Sequence, residues 1–180
     1  VKEFPIRKEN KFSLPWNKRD LKEAVFRAVD NISFSLKLGE SLGLVGESGC
    51  GKSTTSNIIT RLLDATSGNV IFDGKNITTY PASRFSTMSD RTKIQMVFQD
   101  PTDSLNPRYT ALDTISEPLR RLKGMHDRKK IEQKTNKLAQ MVGLPQTLLT
   151  RFPHQLSGGQ KARVGIARAI AVDPLLLILD

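Results

Sequence analysis

The chain has little cysteine, few aromatic residues and no long hydrophobic run. Its 180 residues include one cysteine, one tryptophan and two tyrosines. A single Cys50 excludes a disulfide within the chain and is typical of a reducing compartment such as the cytoplasm. The longest aliphatic run, Leu175 to Leu179, is far shorter than the roughly 20 residues that a transmembrane helix needs. With 38% hydrophobic and 26% charged residues, the composition predicts a folded domain and excludes a disordered, collagen-like or coiled-coil chain.

Basic residues outnumber acidic ones, 28 to 18, which gives a formal charge of +10. The excess is concentrated in residues 80–151, which carry 13 basic and 7 acidic residues. Nucleic acid or an anionic membrane surface could use such a patch. We instead expect a solvated helical face, because the stretch lacks the interleaved aromatic residues of a single-strand binder. The basic residues of this expected face are Arg128, Lys129, Lys130, Lys134 and Lys137.

Hydrophobic periodicity predicts strands alternating with helices. Alternating apolar residues predict a strand over 32–38, a turn at Gly39-Glu40 and a second strand over 42–45. The run 175–179 has no polar alternation, which predicts a parallel strand buried on both faces. Further strands are predicted at 70–72 and 94–98, and helices at 53–63, 112–122, 130–142 and 160–171.

The strongest local signal is a glycine-rich loop between the strand predicted at 42–45 and the helix that follows it. The loop reads Gly46-Glu47-Ser48-Gly49-Cys50-Gly51-Lys52-Ser53, continues with Thr54, and matches GxxxxGK[ST]. Glycines allow the backbone to turn several N–H groups toward phosphate oxygens without Cβ clashes. Lys52 would meet the β and γ phosphates, and the Ser53 hydroxyl would ligate Mg²⁺. The sequence therefore predicts a nucleotide phosphate site over 46–54.

A second glycine-containing loop, Leu156-Ser157-Gly158-Gly159-Gln160, precedes another predicted helix. It offers backbone donors at a helix N-terminus but no lysine, and Ser157 is placed either to cap the helix or to bind an anion. Asp180 ends the strand predicted at 175–179, where carboxylates of open α/β sheets face the ligand crevice. Together with a phosphate loop, Asp180 is predicted to hold Mg²⁺ through water, whereas alone it would be a strand-to-loop residue.

These three motifs, in this order, resemble the ATP-binding subunit of ABC transporters, with Walker A at 46–53, the LSGGQ signature at 156–160 and Walker B at 175–180. The resemblance covers nearly the whole chain and implies that ATP and Mg²⁺ are bound. It also implies an α/β fold: a P-loop NTPase core with an antiparallel β-subdomain and an inserted α-helical subdomain. The core would comprise 1–100 and 152–180, and the helical subdomain about 101–151, with the signature loop at its end.

The resemblance assigns roles to two further residues. Gln99 matches the Q-loop glutamine, which contacts Mg²⁺ and the attacking water and responds to the membrane partner. Phe4 is the best match to the aromatic residue that stacks on adenine, although Trp16 and Phe26 compete with it and plain packing explains each of them equally well. Lys52 and Gln99 are thus the catalytic residues that the resemblance identifies in this chain.

Some parts of the family pattern are not found between residues 1 and 180. The family's catalytic glutamate would follow Asp180 directly, and its switch histidine would lie further on. Neither His126 nor His154 follows a late strand, so neither takes the histidine's role. Because the chain also begins at Val1 rather than Met and stops directly after a strand-like apolar run, it is expected to be a fragment, truncated at both ends.

A narrower resemblance is to the oligopeptide and dipeptide importer branch of the family. It is carried by Phe98-Gln99-Asp100-Pro101, Ser104-Leu105-Asn106-Pro107-Arg108 and Glu117-Pro118-Leu119. The branch implies peptide import, with nickel and glutathione as open alternatives. It also implies a peripheral subunit on the cytoplasmic face of the cell membrane.

The resemblance further implies the partners of the chain. A second ABC ATPase subunit, identical or different, would pair head to tail so that the signature loop of each chain closes on ATP held by the other. Two membrane permease subunits and, indirectly, an extracytoplasmic solute-binding protein would complete the transporter. Two alternatives stay open: a soluble ABC-type ATPase acting on nucleic acid or the ribosome, and a degenerate ATP-binding partner subunit. A steep salt dependence of nucleic-acid affinity would favour the first alternative, although nucleic acid is not the expected partner.

Overall fold

A computed structural model of the protein describes residues 1–6 and 24–180, which divide into two compact units, 1–82 and 83–180. Within these described ranges, no helix is both long and apolar enough to cross a bilayer. The strands are β1 (Lys2–Pro5), β2 (Val25–Val29), β3 (Ile71–Phe72), β4 (Lys75–Asn76), β5 (Ile94–Val97) and β6 (Leu176–Leu179). The helices are α1 (Lys52–Ile59), α2 (Ala82–Phe85), α3 (Ala111–Arg121), α4 (Arg128–Met141) and α5 (Gly158–Ile170).

The first unit contains two antiparallel strand pairs and helix α1. Strands β1 and β2 pair with Phe4 opposite Phe26. Strands β3 and β4 form a tight hairpin, in which Asp73 and Gly74 both adopt positive φ, as the favoured two-residue hairpin turn requires. The strand predicted at 70–72 is confirmed as β3, whereas the β1–β2 pair is not predicted, because its residues show no strict alternation of apolar and polar side chains.

Helix α1 ends in a turn that contains an arginine where glycine is usual. The Arg61 N–H donates to Ile58 O at 3.1 Å and the Leu62 N–H to Asn57 O at 2.9 Å, the bonds of a Schellman motif. Arg61 has a φ of 58°, a conformation that disfavours any residue with a Cβ. Its buried guanidinium donates to Asp64 Oδ1 at 2.6 Å and to Tyr80 O. These bonds tie the C-terminal end of α1 to residue 80.

The second unit is built around three helices, α3, α4 and α5, that pack on one another. Ile115, Leu119 and Val164 are completely buried between them, as expected for amphipathic helices that share a core. Helix α4 is followed by Gly143, whose φ of 67° suits glycine and whose carbonyl accepts a 2.6 Å hydrogen bond from Arg163 Nη1 on α5. The core consists of Leu105, Ala111, Ile115, Leu119, Ile131, Leu138, Ala139, Leu144, Leu149, Leu156, Val164, Ala167 and Ala171.

Strands β5 and β6 form a parallel pair in which Val97 lies opposite Leu179. The strands predicted at 94–98 and 175–179 are confirmed, but the expected burial of the second on both faces is wrong. Leu177 is 37% exposed and Leu179 is 69% exposed. The reason is that β5 is the only neighbour of β6 among the residues that the structure describes, so one edge and parts of both faces stay uncovered.

The strands predicted at 32–38 and 42–45 are not formed in the structure. The turn between them is present, at Leu38 and Gly39, and Glu40 N donates to Lys37 O at 3.1 Å. A strand requires a neighbour to receive its backbone hydrogen bonds, and neither segment has such a neighbour in the described part of the chain. The apolar alternation remains visible as half-exposed side chains, including Phe34 and Leu44.

The four long helices that were predicted are all confirmed, with displaced ends. The observed ends differ most for α1, which stops at Ile59 rather than continuing to 63, because the turn at Arg61 reverses the chain. The predicted subdomain limits at 100/101 and 151/152 stay predictions.

We expect Ile115→Ala to lower the free energy of unfolding by about 2 to 5 kcal/mol, because it leaves a cavity in the core of α3, α4 and α5. Urea unfolding followed by far-UV circular dichroism measures this loss. Ile71→Ala is a matched control, since Ile71 is 72% exposed and the same deletion should cost less than about 0.5 kcal/mol. Equal losses for the two variants would contradict this placement of the core.

Candidate functional site

The glycine-rich loop at 46–51 is closed by the lysine that follows it. Lys52 Nζ lies 2.7 Å from Gly46 O and 2.7 Å from Glu47 O, and 3.6 Å from Cys50 Sγ. The loop also contains a turn in which Cys50 N donates to Glu47 O at 3.3 Å. The lysine thus folds back over the loop, and its ammonium marks the position where phosphate oxygens are received in loops of this kind.

Gly51 is required by a close contact with the backbone of the first unit. A Cβ added at Gly51 would lie 2.2 Å from Ala28 O, and the φ of Gly51 is 95°. Gly49 also has a positive φ, of 81°, although nothing lies near its missing side chain. A Cβ at Gly46 would meet only Cys50 Sγ, at 2.6 Å, and the cysteine side chain can rotate away. Gly49 and Gly51 are therefore needed for the shape of the loop itself.

Helix α1 begins at this loop without a side-chain cap. Its N-cap is Gly51, which has no side chain to accept a hydrogen bond from the helix N–H groups. Its first turn contains no acidic residue. The other three long helices that the structure describes are each capped by an oxygen from Thr110, Asp127 or Ser157. A helix N-terminus that has no side-chain cap and lies beside a lysine presents backbone N–H donors and the positive end of the helix dipole, which together suit an anion.

Residues Ser53 and Thr54 lie in the first turn of α1. Ser53 is exposed, as a hydroxyl that meets a metal ion must be, and Thr54 is half-buried. The next residue, Thr55, is buried and donates from Oγ1 to Gly51 O at 2.9 Å. Thr55 was not among the predicted residues, and its role is to hold the loop against the helix.

Gln99 and Asp180 lie at the same end of the β5–β6 pair. The Asp180 N–H donates to Val97 O at 3.0 Å, and Gln99 follows Val97 by two residues. Gln99 is exposed. The structure therefore brings together two of the predicted site residues at the carboxyl edge of two parallel strands, where ligands of α/β proteins bind.

The loop that contains Gln99 is shaped by Asp100. Asp100 Oδ1 accepts hydrogen bonds from Thr102 N at 2.6 Å and from Asp103 N at 3.3 Å, which forms an Asx turn. Asp before Pro is a recognisable signal for such a turn in the sequence. The sequence indicates Asp100 only as part of a motif, and the structure identifies it as a residue that positions the loop.

The second glycine loop forms the N-terminus of α5. Ser157 Oγ accepts from Gln160 N at 3.3 Å, and Gln160 Oε1 accepts from Ser157 N at 2.9 Å, so the two residues form a capping box. Of the two roles left open for Ser157, capping is the one seen in the structure. Leu156 is buried in the core and anchors the loop.

Gly158 and Gly159 differ from the glycines of the first loop. Neither has a positive φ, and a Cβ added at either position would meet nothing within 4 Å. The surrounding chain therefore does not require glycine at these positions. The space left by the missing side chains lies over the first turn of α5, where a ligand can approach the backbone closely.

Two side chains of α5 connect it to the loop after Gln99. Lys161 Nζ lies 3.4 Å from Thr102 Oγ1, and Arg168 Nη1 donates to Ser104 O at 2.7 Å. Burial lowers the pKa of the Arg168 guanidinium, and the charge of Glu117 raises it to a lesser extent. Neither contact can be predicted from the sequence, because bonds between residues about 60 positions apart leave no local signal.

The predicted adenine-stacking residue, Phe4, lies on β1 and is 37% exposed. Its ring is 5.0 Å from Lys2 Nζ, and its cross-strand partner Phe26 is 55% exposed. The third candidate, Trp16, lies outside the described residues. The pair of exposed rings is compatible with stacking on a base by either phenylalanine, and the assignment to Phe4 stays a prediction.

Only a few side-chain oxygens are available as ligands for Mg²⁺, and they do not form a dense cluster. Among the described residues, no group of three His, Cys, Asp or Glu side chains could hold a metal ion. Mg²⁺ usually keeps several waters and takes one or two protein oxygens together with substrate phosphates. The hydroxyl of Ser53 and the carboxylate of Asp180 fit that requirement in chemical type.

Comparison with known proteins identifies the family. The sequence profile described as "ABC transporter" matches residues 29–180. The chain is 49% identical over 154 residues to the oligopeptide transport ATP-binding protein OppF of Bacillus subtilis, which covers 86% of this chain and 50% of that protein. It is 46% identical over 154 residues to AppF of the same organism, an oligopeptide transport ATP-binding protein, with 86% and 46% covered. The chain therefore spans about half the length of these relatives.

A solved structure with a similar fold supports the same assignment. The ATP-binding cassette MJ0796, in a dimeric post-hydrolysis state bound to ADP and Pi, superposes with a TM-score of 0.81 at 32% identity. The match covers 90% of this chain and 69% of that chain. The predicted fold class, a P-loop NTPase of the ABC ATPase type, is confirmed.

We expect alkylation of Cys50 to block nucleotide binding, because the thiol is exposed and lies close to the Lys52 ammonium inside the loop. Binding of a fluorescent ATP analogue before and after complete modification with N-ethylmaleimide measures the effect. Cys50→Ala provides the control, since it should bind the analogue and be insensitive to the reagent. Unchanged binding by the fully modified protein would show that the loop does not receive the nucleotide.

Proposed function

Because the chain belongs to the ABC transporter family, we propose that it is the ATP-binding and ATP-hydrolysing part of a subunit that powers an importer of di- or oligopeptides. The observation that carries the proposal is the phosphate loop, in which Lys52 folds over Gly46 and Glu47 at an uncapped helix N-terminus. Peptide as the imported solute is supported by the names of OppF and AppF, both oligopeptide transport proteins.

In this proposal the loop residues 46–54 surround the phosphates of ATP. Backbone N–H groups at the start of α1 donate to phosphate oxygens, and Lys52 Nζ leaves the two carbonyls to meet the β and γ phosphates. Glycines at 46, 49 and 51 let the backbone approach the phosphates. Phe4 is proposed to stack on the adenine, which its partial exposure on β1 permits.

Mg²⁺ would neutralise the charge that develops on the β and γ phosphate oxygens during transfer. We assign the Ser53 hydroxyl as its direct protein ligand and Asp180 as a ligand through water. Gln99 is assigned to the attacking water and to Mg²⁺. Catalysis then depends mainly on positioning and on the electrostatic stabilisation of charge, with Lys52 as the principal cation supplied by this chain.

The signature loop is proposed to act on ATP held by a second subunit. Open space at Gly158 and Gly159, which the fold of this chain does not use, supports the approach of a phosphate from outside. The Ser157 oxygen accepts the helix N–H through its lone pair, which leaves its hydroxyl proton available to an anion. The dimeric state of MJ0796 supports pairing of two such domains.

Transport requires partners that this chain does not contain. We propose two membrane permease subunits, an extracytoplasmic solute-binding protein that acts indirectly, and a position on the cytoplasmic face of the membrane. Closure of the paired ATPase subunits on ATP and their release after hydrolysis would drive the permeases. Lys161 and Arg168 of α5 contact the loop after Gln99, so α5 and that loop can move together.

Lys52→Ala in the full-length protein should reduce ATP hydrolysis by about a hundred-fold or more, since it removes the cation that meets the transferred phosphate. Phosphate release by the purified transporter in membranes measures the loss. Lys129→Ala is the control, because Lys129 is an exposed lysine of α4 that lies outside the loop and should leave turnover unchanged. Wild-type turnover by Lys52→Ala would disprove the assignment of the site.

Gly51→Ala and Gly159→Ala should have different effects on stability, because the fold requires glycine at position 51 but leaves open space at position 159. Gly51→Ala introduces a Cβ 2.2 Å from Ala28 O at a φ of 95°, so it should destabilise the protein as well as impair ATP binding. Gly159→Ala should keep or slightly raise thermal stability, because alanine favours helices and has open space there. It should nevertheless reduce ATP hydrolysis by about a hundred-fold, because it crowds the approaching phosphate.

Thermal denaturation and ATPase assays on the same preparations test this pair. A Gly159→Ala protein that is stable and fully active would show that the signature loop does not contact nucleotide. A Gly51→Ala protein as stable as the wild type would show that the loop has another shape.

A further inference from the structure

Gln99 lies between two structures that fix its position. On its N-terminal side, Val97 ends β5, and the Val97 carbonyl accepts a 3.0 Å hydrogen bond from the Asp180 N–H. On its C-terminal side, residues 100–104 form a turn, called here the 100–104 turn. Only Phe98 separates Gln99 from the strand, so the position of Gln99 at the Asp180 end of the strand pair depends on how this turn is held.

The 100–104 turn is closed by hydrogen bonds of its own. Asp100 Oδ1 accepts from Thr102 N at 2.6 Å and from Asp103 N at 3.3 Å. The Asp100 carbonyl also accepts from Ser104 N at 3.2 Å. Because these bonds join the two ends of the turn, a contact made by Ser104 is transmitted to Gln99, the residue before the turn.

Arg168 of α5 holds the far end of the turn. Its Nη1 donates to Ser104 O at 2.7 Å, which is a short, charge-assisted hydrogen bond. Burial lowers the pKa of this guanidinium, and the charge of Glu117 raises it to a lesser extent. The folded protein therefore disfavours the charged form of a side chain that it nevertheless places against this carbonyl. A methionine of similar length would fill the same space without the cost of burying a charge.

The core of the second unit is held by other contacts. Leu105, directly after the turn, is 4% exposed and belongs to the core formed with α3, α4 and α5. On α5, Val164 and Ala167 are completely buried in the same core. Leu105 thus anchors the chain after the turn, whereas Arg168 fixes the direction of the Ser104 carbonyl. Loss of the Arg168 bond should loosen the turn and leave the unit folded.

We propose that Arg168 is a positioning residue for ATP hydrolysis, which fixes Gln99 through the Ser104 carbonyl and the 100–104 turn. This inference rests on the proposed function, in which Gln99 is assigned to the attacking water and to Mg²⁺. Arg168 acts through the backbone and is itself not assigned to nucleotide. Because α5 begins at the signature loop, a displacement of this helix by nucleotide on a second subunit would reach Gln99 through the same bond.

A double-mutant cycle in the full-length transporter tests whether Arg168 acts through Gln99. Arg168→Met should lower kcat for ATP hydrolysis about ten-fold and keep KM for ATP within about two-fold, because a misplaced catalytic group costs rate rather than binding. In a Gln99→Ala background the same substitution should lower kcat by less than about two-fold, since the residue that it positions is gone. Phosphate release by the purified transporter in membranes measures both effects.

Arg163→Met is the matched control on the same helix. Arg163 Nη1 also donates to backbone carbonyls, Val142 O at 3.1 Å and Gly143 O at 2.6 Å, but these follow α4 and are not part of the loop after Gln99. This variant should lower the thermal midpoint and keep kcat within about two-fold of the wild type. A purely structural role of Arg168 would give the same pattern.

Hydrogen exchange of the full-length protein provides a second readout, which does not depend on turnover. Arg168→Met should speed exchange of the amides of residues 102–104 about ten-fold and leave the amides of β5 unchanged, because only the turn loses a contact. If Arg168→Met does not fold, Arg168→Gln serves the same measurements, since its shorter side chain should not reach Ser104 O.

Four outcomes would overturn the proposal. An equal fractional loss of kcat with and without Gln99 would show that Arg168 acts independently of that residue. Wild-type kcat in Arg168→Met would show that the bond does not position Gln99, and unchanged exchange at 102–104 would show that it does not hold the turn. Wild-type turnover by Gln99→Ala alone would also contradict the proposed role of Gln99, which distinguishes that failure from the other three.

Discussion

The first backbone N–H groups of a helix need acceptors, and the acceptor available at each helix decides much of the chemistry of this molecule. Helices α3, α4 and α5 are capped by side-chain oxygens of their own chain. Helix α1 has only Gly51 at that position, so no side-chain oxygen caps its first turn, an arrangement that suits an external anion. The nucleotide site that we propose depends on this difference. A single serine at position 51 would add a competing acceptor and a Cβ that has no room beside Ala28.

The parts of the site that depend on local sequence were predictable, and those that depend on distant contacts were not. Gly46 to Ser53 and Leu156 to Gln160 are continuous motifs whose positions relative to a following helix can be derived from periodicity alone. The spacing of Ser157 and Gln160 permits a capping box. Only the structure shows that Ser157 caps the helix within this chain. The bonds from Lys161 to Thr102 and from Arg168 to Ser104 cross about 60 residues and could not be found this way.

The fold shows the same division. Helices α3, α4 and α5 were predicted because hydrogen bonds within a helix are local, and the apolar stripe of each helix is complete in its own sequence. The predictions of strands were wrong where pairing with a neighbour decides whether a strand forms. The alternation at 32–38 and 42–45 is compatible with a strand but does not show that a pairing partner exists. Likewise, the apolar run at 175–179 predicted β6 itself but not its exposure, which depends on how many neighbours the strand has. Arg61 at a positive φ is a third example, since glycine is expected there and the contact of its guanidinium with Tyr80 O, 19 residues away, leaves no local signal.

In the function that we propose, nucleotide binding at this loop is an exchange of partners, because Lys52 already contacts two carbonyl oxygens. The ammonium gives up two charge-assisted hydrogen bonds of 2.7 Å before it gains those to phosphate. The measured affinity is therefore the difference between two well-paired states of the same side chain, and it is smaller than the sum of the phosphate contacts. The same two carbonyls receive the ammonium again when the product leaves, which lowers the cost of dissociation. A loop that is satisfied both with and without its ligand is suited to repeated cycles of loading and release.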